Sequence, residues 1–372
     1  MKILIIKLGA IGDVIRTTSI LHGLKSKYRN CMTDWITKKE SFDILKNNNM
    51  INKIFLIDGN IEEEVKDKEY DLIINLDDDN TACKLATNVK HKKIIGSYFK
   101  NNEKTYTVDS SAWFDMGLIS KFGKQKADKL KAKNKKTYQE ILYKILGLEY
   151  KKQEPILILN ELEFGKHFAE KNNIKNNDLV IGINTGAGGR WKDKKLSIEE
   201  TAELIDKLNN TLKNSKGIFG ELGNQRFPVS QKSKGFLRMQ KISNKFSSEI
   251  KNAKLLLFGG PEEKERNEKI KNSIKTNIID AGCNNSLMEF ASLVNLCNIL
   301  ITSDSLAMHI GIALKKKIIA VFYPTSASEI ELYNRGVKII GKGKDYCSYK
   351  TKCDIPPEYE IDEMVDAVKK MI

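Results

Sequence analysis

The stretch KILIIKLGAIGDVI, residues 2–15, decides the fold class. An apolar run is followed directly by Gly9, Gly12 and Asp13, and then by apolar residues at helical spacing, which predicts a strand, a tight turn and a helix from Val14 to Tyr28. A continuous apolar strand is typical of a parallel sheet with both faces covered by helices. Because similar apolar runs recur between helical patterns, we expect an α/β protein.

The alternation of strand and helix falls into two blocks. The first block contains the apolar runs MTDWIT, KIFLID and YDLIINL, and the second contains six runs, from LVIGIN at 179–184 to VKIIG at 337–341. A linker is predicted near residues 149–160, and 372 residues suffice for two cores. We therefore predict two doubly wound domains, residues 1–155 and 156–372, with ligands at the carboxyl ends of the strands.

The charge of the chain is strongly basic and unevenly distributed. Lys and Arg number 63 against 48 Asp and Glu, a net charge of +15. Residues 90–136 hold thirteen Lys and four acids, and residues 213–254 hold ten Lys or Arg and two acids. These segments suggest an anionic partner such as a phosphorylated substrate, a membrane surface or nucleic acid, although solvated surface loops would look the same. The basic insertion at about 213–253 has no explanation beyond its charge.

The cysteines and the hydropathy pattern bear on the compartment. Six cysteines are scattered without a close-paired framework, which favours a reducing compartment. No apolar run approaches the roughly 18 residues of a membrane span. Lys7 and Asp13 interrupt the apolar amino-terminal stretch, which argues against a signal peptide. We expect a cytoplasmic protein. The sequence also lacks H-E-x-x-H and C-x-x-C motifs, so neither a metal site nor a cofactor is expected.

Four segments in order resemble glycosyltransferase family 9, the ADP-heptose:lipopolysaccharide heptosyltransferases. The resemblance implies a GT-B fold, in which two Rossmann-like domains face each other across a cleft and the last helix, about 360–372, packs back on the first domain. It also implies inverting, metal-independent sugar transfer from ADP-heptose to the inner core of lipopolysaccharide. The segments are KILIIKLGAIGDVI, GGRWKDKKLSIEE at 188–200, LLLFGGPEEKER at 255–266 and ITSDSLAMHIGIALKKKIIAVFYPTSASE at 301–329.

On the acceptor side, the resemblance implies that Asp13 is the general base. A base must stand near the attacking hydroxyl, and a carboxylate after the first strand would reach into the cleft. The alternative is that Asp13 caps the helix predicted to begin at Val14, a role that Asp often has. Gly9, Gly12 and Arg16 are assigned to acceptor binding.

On the donor side, the resemblance implies that Lys194 holds the diphosphate, with Lys192 and Lys195 near enough to share that role. Thr185 and Gly186 belong to a glycine-rich loop whose amides can cradle phosphate oxygens. Glu263 corresponds to the family glutamate that binds the ribose hydroxyls, but it is also explained as the charged start of an exposed helix.

The segment DSLAMH, residues 304–309, completes the predicted donor site. Asp304 and Ser305 precede a helix whose free amides would bind an anion. Leu306 replaces the glycine usual in the family, which bears on the identity of the donor. For His309, packing behind the loop is favoured over direct catalysis.

Two functional hypotheses follow. The first is an inverting heptosyltransferase, or a relative that uses another nucleotide sugar, with its basic segments against the cytoplasmic face of an anionic inner membrane. The second is a nucleotide- or nucleic-acid-binding protein that kept the fold and lost turnover, although nucleic acid is not the favoured partner. In that case aromatic side chains of the first basic segment would stack on bases, namely Tyr98, Phe99, Tyr106, Trp113 and Phe114.

Overall fold

Two six-stranded sheets form the centre of the molecule. The computed structural model describes residues 1–160, 162–189, 191–224 and 252–372. Ile3 and Ile5 of the first strand pack into one hydrophobic cluster, and Leu4 and Ile6 pack into another. Because successive residues of a strand point to opposite faces, both faces of this sheet are buried, as the continuous apolar run predicts.

The first sheet has the order β3-β2-β1-β4-β5-β6. Strands β1 to β5 are parallel, and β6 pairs antiparallel to β5 as a hairpin. The strands are β1 (Lys2–Ile6), β2 (Met32–Thr37), β3 (Lys53–Leu56), β4 (Glu69–Asn75), β5 (Lys90–Lys100) and β6 (Glu103–Tyr106).

The second sheet repeats this order with parallel strands, β12-β11-β10-β7-β8-β9. The order of strands reverses between β1 and β4 in the first sheet and between β7 and β10 in the second, and such switch points open a crevice for ligands. The strands are β7 (Leu179–Asn184), β8 (Ala253–Phe258), β9 (Ile279–Asp280), β10 (Ile299–Ser303), β11 (Lys317–Phe322) and β12 (Gly336–Ile340).

Helices follow the strands. Those of the first half are α1 (Ile11–Thr17), α2 (Ile20–Lys27), α3 (Phe42–Leu45), α4 (Ile61–Val65), α5 (Asn80–Asn88), α6 (Ser111–Phe114), α7 (Lys124–Lys133) and α8 (Tyr138–Ile145). Those of the second half are α9 (Glu163–Lys171), α10 (Ile198–Asn224), α11 (Lys264–Ser273), α12 (Leu287–Leu296), α13 (Leu306–Ala313) and α14 (Ile361–Met371). Among the described residues, none of these helices has both the length and the apolar character needed to cross a bilayer.

Three expectations about elements differ from the structure. The helix predicted from Val14 to Tyr28 consists of α1 and α2, and α1 already begins at Ile11. The sequence from Ala327 to Tyr333 also predicts a short helix, but the structure has a single 3₁₀ turn at Ala327–Glu329. The β5–β6 hairpin was not predicted, because its lysine-rich sequence lacks an apolar run. Of the basic insertion at about 213–253, residues 225–251 lie outside the described residues.

The last helix also differs from the expectation. Among the described residues, helix α14 packs mainly on β11, β12 and α10 of the second half instead of on the first domain. Its apolar stripe, which includes Ile361, Met364 and Val368, is buried in the same cluster as Ile319 and Val321 of β11. The physical reason is that this face of the second sheet is itself apolar, and the stripe covers it.

The two halves are in direct contact through α1 and α13. Residues 151–160 connect them without helix or strand, and the middle of this segment is bonded to both halves. The Thr18 hydroxyl accepts a hydrogen bond from the Ile156 amide at 2.7 Å. Arg335 forms a bidentate ion pair with Glu154, with N–O distances of 2.9 and 2.8 Å. The carboxyl ends of the central strands of both sheets therefore border one cleft.

Candidate active site

Asp13 stands in the first turn of α1 without capping it. The N-cap residue of α1 is Ala10, and no side chain caps the helix. The capping hypothesis is therefore wrong, because the helix begins before Asp13 instead of after it. The Asp13 carboxylate instead pairs with Arg16 one turn later, at 2.8 Å from Nη2, and about a third of its side chain is exposed, 34 %.

Charges from both halves of the molecule act on Asp13. Burial by itself raises the pKa of this carboxyl, but Arg16, Lys7, His309 and Lys194 outweigh it and lower the pKa to about 2. Lys194 and His309 belong to the second half, whereas Arg16 and Lys7 belong to the first. The carboxylate is thus ionised at neutral pH, and positive charge from both halves of the molecule stabilises it.

A buried ion pair fixes the loop that leads to Asp13. Lys7 Nζ lies 2.7 Å from Asp77 Oδ1, and the other oxygen of Asp77 accepts hydrogen bonds from the amides of Leu8 and Gly9. A Cβ atom on Gly9 would lie 2.8 Å from Lys7 Nζ, so glycine leaves room for this pair. Sequence reasoning missed Asp77, which follows β4 on the other side of the switch point; that position was its only signal.

Gly12 and His309 meet at the contact between the halves. A Cβ atom on Gly12 would lie 2.5 Å from His309 Cδ2, so a larger residue would displace the imidazole. His309 is buried, 8 % exposed. Burial, with the nearby Arg16 charge, lowers the pKa of His309 to about 4. The imidazole is therefore neutral at neutral pH, in agreement with a packing role.

Arg16 is held by two aromatic rings as well as by Asp13. Its guanidinium lies 3.8 Å from the centroid of the Tyr138 ring and 5.9 Å from that of Trp113. Tyr138 also bonds through its hydroxyl to Thr17 at 2.9 Å. Cation–π contacts of this kind orient a planar guanidinium without neutralising it. Tyr138 was not predicted at the site, since sequence spacing does not reveal a contact between α1 and α8, whereas Trp113 of α6 was named only among the aromatic side chains of the first basic segment.

On the opposite side of the cleft, Lys194 bridges two loops. Its ammonium lies 2.9 Å from Asp304 Oδ2 and donates to the Asp304 carbonyl at 2.8 Å. Thr325, after β11, donates to the same carboxylate oxygen at 2.8 Å. Burial raises the pKa of Asp304, but Lys194, His309 and these hydrogen bonds lower it overall. The structure therefore brings together the predicted residues Lys194 and Asp304, together with the unpredicted Thr325.

A second ion pair, between Lys195 and Glu263, lies on the same side of the cleft. Lys195 Nζ is 2.5 Å from Glu263 Oε1, and the other oxygen of Glu263 accepts from the Gly260 amide at 3.1 Å. Glu263 is only 4 % exposed, which contradicts its interpretation as part of an exposed helix start. A Cβ atom on Gly186 would stand 3.0 Å from this carboxylate. Gly186 and Glu263 are thus neighbours.

The remaining predicted donor residues are arranged differently from one another. The Thr185 hydroxyl is buried and donates to Asn267 Oδ1 at 2.6 Å. Ser305 Oγ bonds to Thr302 Oγ1 at 3.0 Å and does not cap α13, which begins at the half-buried Leu306. The side chain of Lys192 lies outside the described residues. Of the loop glycines, Gly188 has a left-handed backbone, with φ of 68°.

An aromatic wall that sequence reasoning missed adjoins Lys194. Its ammonium lies 4.6 Å from the Trp191 ring centroid, and Trp191 donates through Nε1 to the carbonyl of Tyr349 at 3.2 Å. Lys131 of α7 crosses from the first half and lies 3.8 Å from the Tyr349 ring centroid and 3.8 Å from Glu329 Oε1. In the described part of the chain, His, Cys and acidic side chains do not gather into a group of three or more that would hold a metal ion.

Two Rossmann-like domains with a carboxylate on one edge of the cleft and lysines on the other define the GT-B class. Solved structures confirm this fold. A glycosyltransferase family 9 protein from Veillonella parvula aligns with a TM-score of 0.66 and 18% identity, covering 100% of this chain and 96% of the other. The E. coli ADP-heptose lipopolysaccharide heptosyltransferase II aligns with a TM-score of 0.56 and 15% identity, covering 100% of this chain and 98% of the other. The E. coli heptosyltransferase WaaC with ADP aligns with a TM-score of 0.57 and 17% identity, covering 100% of both chains.

A family model matches part of the second half of the sequence. Residues 245–357 match the family model of glycosyltransferase family 9 (heptosyltransferase). This match confirms the resemblance over that segment and supports glycosyltransferase activity. No curated protein sequence matches the chain.

Proposed function

We propose that the chain transfers a heptose or a related sugar from ADP-heptose to an inner-core acceptor of lipopolysaccharide, with inversion and without a metal. The observation that carries the proposal is the packing of α1, which bears Asp13, against α13, directly after the Lys194–Asp304 pair, with Gly12 next to His309 at the contact. The E. coli heptosyltransferase WaaC has been solved with ADP and with ADP-2-deoxy-2-fluoro heptose, which supports the choice of donor.

In the proposed reaction, Asp13 acts as the general base. Its carboxylate accepts the proton of the acceptor hydroxyl while the hydroxyl oxygen bonds to the anomeric carbon of the donor. The bond from that carbon to the diphosphate oxygen breaks on the opposite face, and ADP leaves with its electron pair. This in-line displacement inverts the anomeric configuration. Positioned general bases of this kind contribute typically about 10²- to 10⁴-fold.

Lys194 stabilises the leaving diphosphate in this proposal. It is buried beside Asp304 and next to the start of α13, where helix amides favour an anion. The pairing with Asp304 positions the ammonium before the donor binds. Glu263 binds the ribose hydroxyls as a hydrogen-bond acceptor, and Lys195 holds its carboxylate in place. Leu306 borders the diphosphate in place of glycine and restricts the shape of the donor.

Arg16 binds an anionic group of the acceptor. Without a bound acceptor, the guanidinium pairs with Asp13 and lowers the pKa of that carboxyl. A phosphate or carboxylate of the acceptor would take over the guanidinium through bidentate hydrogen bonds, because Arg matches those groups geometrically. The carboxylate of Asp13 would then regain basicity at the moment when a hydroxyl is present to be deprotonated. Gly9 and Gly12 keep this side of the cleft open.

Ligand screening and turnover test the proposal together. In a thermal-shift screen, ADP should raise the melting temperature more than UDP, GDP or NAD, because a ligand that binds only the folded state stabilises it. Transfer from ADP-heptose to a lipopolysaccharide core acceptor should release ADP and persist in EDTA. Stabilisation by UDP instead of ADP would mean that the donor is a UDP-sugar. Loss of transfer in EDTA would contradict a metal-independent mechanism.

The alternative is a protein of the same fold that binds a nucleotide or nucleic acid without turnover. Its motivation is Leu306 in place of glycine and the lysine-rich segments. Base stacking receives little support from the aromatic residues, because Phe114 is buried and stacked on Tyr106, and Trp113 packs edge-on against Tyr138. Absence of ADP release from every sugar nucleotide, combined with tight and salt-sensitive RNA binding, would favour the alternative.

A further inference from the structure

Large apolar side chains are exposed on the first domain next to its most basic segment. Leu118 is 79 % exposed and Phe122 is 41 % exposed. They lie at the amino-terminal end of the segment 121–136, which contains eight lysines and one acid. Isolated exposed apolar residues are common, but a pair of them beside such a charge is not explained by folding.

The lysines surround Phe122 instead of covering it. Lys126 Nζ lies 4.0 Å and Lys121 Nζ 5.3 Å from the centroid of its ring. The backbone beside it is fixed, because the Lys121 amide donates to the Tyr106 hydroxyl at 3.1 Å. An aromatic ring held outward between two ammonium groups has the amphipathic character of a side chain at a membrane interface.

Helix α7 extends the basic surface in one direction. Lys126, Lys129 and Lys133 are three and four residues apart, so they share one face, and all three are exposed. In the described part of the chain, none of the three has a carboxylate within salt-bridge distance. Ala127 is buried on the opposite side of the helix. The positive charge of this face is therefore not neutralised within the protein.

An open cavity of about 340 Å³ lies between α6, α7 and α8. Its lining includes the apolar side chains of Met116, Leu130 and Ile141, three lysines at 133, 136 and 144, and one acid, Asp115, which accepts a hydrogen bond from the Tyr106 hydroxyl. A cavity with this lining suits a group that is anionic at one end and apolar at the other. The same segment thus offers exposed apolar side chains, unpaired lysines and an amphipathic cavity.

We propose that residues 118–136, called here the docking surface, bind the surface of an anionic lipid bilayer, with Leu118 and Phe122 inserted between headgroups and the lysines of α7 against lipid phosphates. Charge complementarity carries the choice of partner, because polybasic segments next to apolar anchors are attracted to anionic membranes. The proposal uses the proposed function only for its consequence: a lipid-anchored acceptor would be delivered to the cleft.

Continuity with the cleft supports this orientation. Trp113, five residues before Leu118, lies beside Arg16, which pairs with Asp13. At the other end of the docking surface, Lys131 contacts Glu329 and Tyr349 of the second domain. The docking surface therefore follows Trp113 closely in sequence and touches the second domain through Lys131, which places it near the cleft.

Vesicle sedimentation of the full chain tests the proposal. We expect binding to vesicles of phosphatidylcholine mixed with phosphatidylglycerol, and little binding to phosphatidylcholine alone. The variant K126Q/K129Q/K133Q should lower the partition coefficient by about a hundredfold, since each lysine near an anionic surface contributes about fivefold. The variant L118S/F122S should lower it by about tenfold through loss of apolar insertion. High salt should weaken the wild type, because the screening length falls from about 10 Å at 0.1 M to about 3 Å at 1 M.

Matched variants control for charge and for apolar exposure. K38Q/K39Q/K66Q removes the same charge from exposed lysines elsewhere on the first domain, and Ile355→Ser removes an exposed apolar side chain, 69 % exposed, from an acidic part of the second. Both should bind vesicles like the wild type. The melting temperature of every variant, measured with and without ADP, reports whether it is folded.

The outcomes separate this proposal from the proposed function. Equal binding to neutral and anionic vesicles, or an equal loss in test and control variants, would overturn the docking surface. If soluble glycerol phosphate displaced the protein from vesicles, the surface would be a site for a single headgroup and not for a bilayer. If an RNA oligonucleotide displaced it, the surface would be a nucleic-acid site. Vesicle binding without any sugar transfer would leave the docking surface standing while the proposed function failed.

Discussion

The two sides of the cleft hold their charged groups in different ways. On the first side, Asp13 is paired with Arg16 of the same helix and remains a third exposed. On the second side, Lys194 is buried between separate loops, where it contacts Asp304, and Thr325 donates to that same carboxylate. The first pair can open without disturbing the fold, whereas the second pair is part of the fold. Substitutions on the first side should therefore affect turnover, and those on the second side should also affect donor affinity and stability.

The largest expected effect is that of Asp13→Asn. The amide keeps the shape of the carboxylate but cannot take a proton, so transfer should fall by about 10³-fold. Transfer rate from ADP-heptose measures the loss. The thermal shift caused by ADP serves as the control and should stay close to that of the wild type. If the free protein lost much of its stability instead, Asp13 would be a structural residue.

Lys194→Met should combine a kinetic and a structural effect. Loss of the ammonium removes a charge from the diphosphate and leaves Asp304 buried without its main partner, which costs about 3–5 kcal/mol when a buried pair is broken. We expect a higher donor KM, a lower kcat and a lower melting temperature. Lys195→Met, at the next position, should weaken donor binding through Glu263 with a smaller effect on kcat. An unchanged KM for the donor in Lys194→Met would remove this lysine from the donor site.

Arg16→Gln should shift the acid limb of the pH profile. Without the guanidinium, the pKa of Asp13 rises from about 2 toward or beyond its ordinary value of 3.8, because burial then dominates. The carboxylate is then protonated at a higher pH, so kcat/KM should begin to fall at a higher pH than in the wild type. The same variant should raise the KM for an anionic acceptor. A shift in neither quantity would mean that Arg16 is a packing residue.

The smallest expected effect is on the pH dependence of stability. The pKa of His309 is about 4 in the folded chain against 6.5 in the unfolded one, so the unfolded state binds more protons between these values. The contribution of His309 to the free energy of unfolding is present above pH 6.5 and is lost as the pH falls to 4, by about 1–3 kcal/mol. Chemical denaturation of the wild type and His309→Asn at several pH values measures the difference. Parallel curves would contradict a buried, neutral imidazole.

The parts of the fold that were predictable are those with strong local signals. Strand β7 has the predicted bounds, because it is an apolar run between turns. Helix α12 has a local start signal of the same strength, a capping box of Ser286 and Glu289. Ser197 and Glu200, three residues apart, form a second capping box at the start of α10 with both hydrogen bonds present. Helix starts were less predictable: α1 begins without a capping side chain, which left Asp13 as the apparent cap.

The parts of the site that were missed depend on contacts distant in sequence. Tyr138 lies under Arg16, and Asp77 pairs with Lys7, but neither follows a motif. Their positions depend on which strands are neighbours and how the helices pack on them. The contact of Lys131 with Glu329 was equally hidden, because one lysine in a basic segment is not distinguished by its sequence. Local pattern thus predicted the residues after each strand, and tertiary packing determined their partners.

The role of Asp13 as general base is tested by a crystal structure of the protein with ADP-2-deoxy-2-fluoro heptose, the compound present in one solved structure of WaaC. The measurement is the distance from the Asp13 carboxylate to the anomeric carbon. If Asp13 is the base, one acceptor oxygen fits between them, hydrogen-bonded to the carboxylate and close to the carbon. We therefore expect a distance of about 5–7 Å from the carboxylate to the anomeric carbon. A diphosphate beside Lys194 with the anomeric carbon more than roughly 10 Å from Asp13 would contradict it, because no acceptor hydroxyl could then touch both.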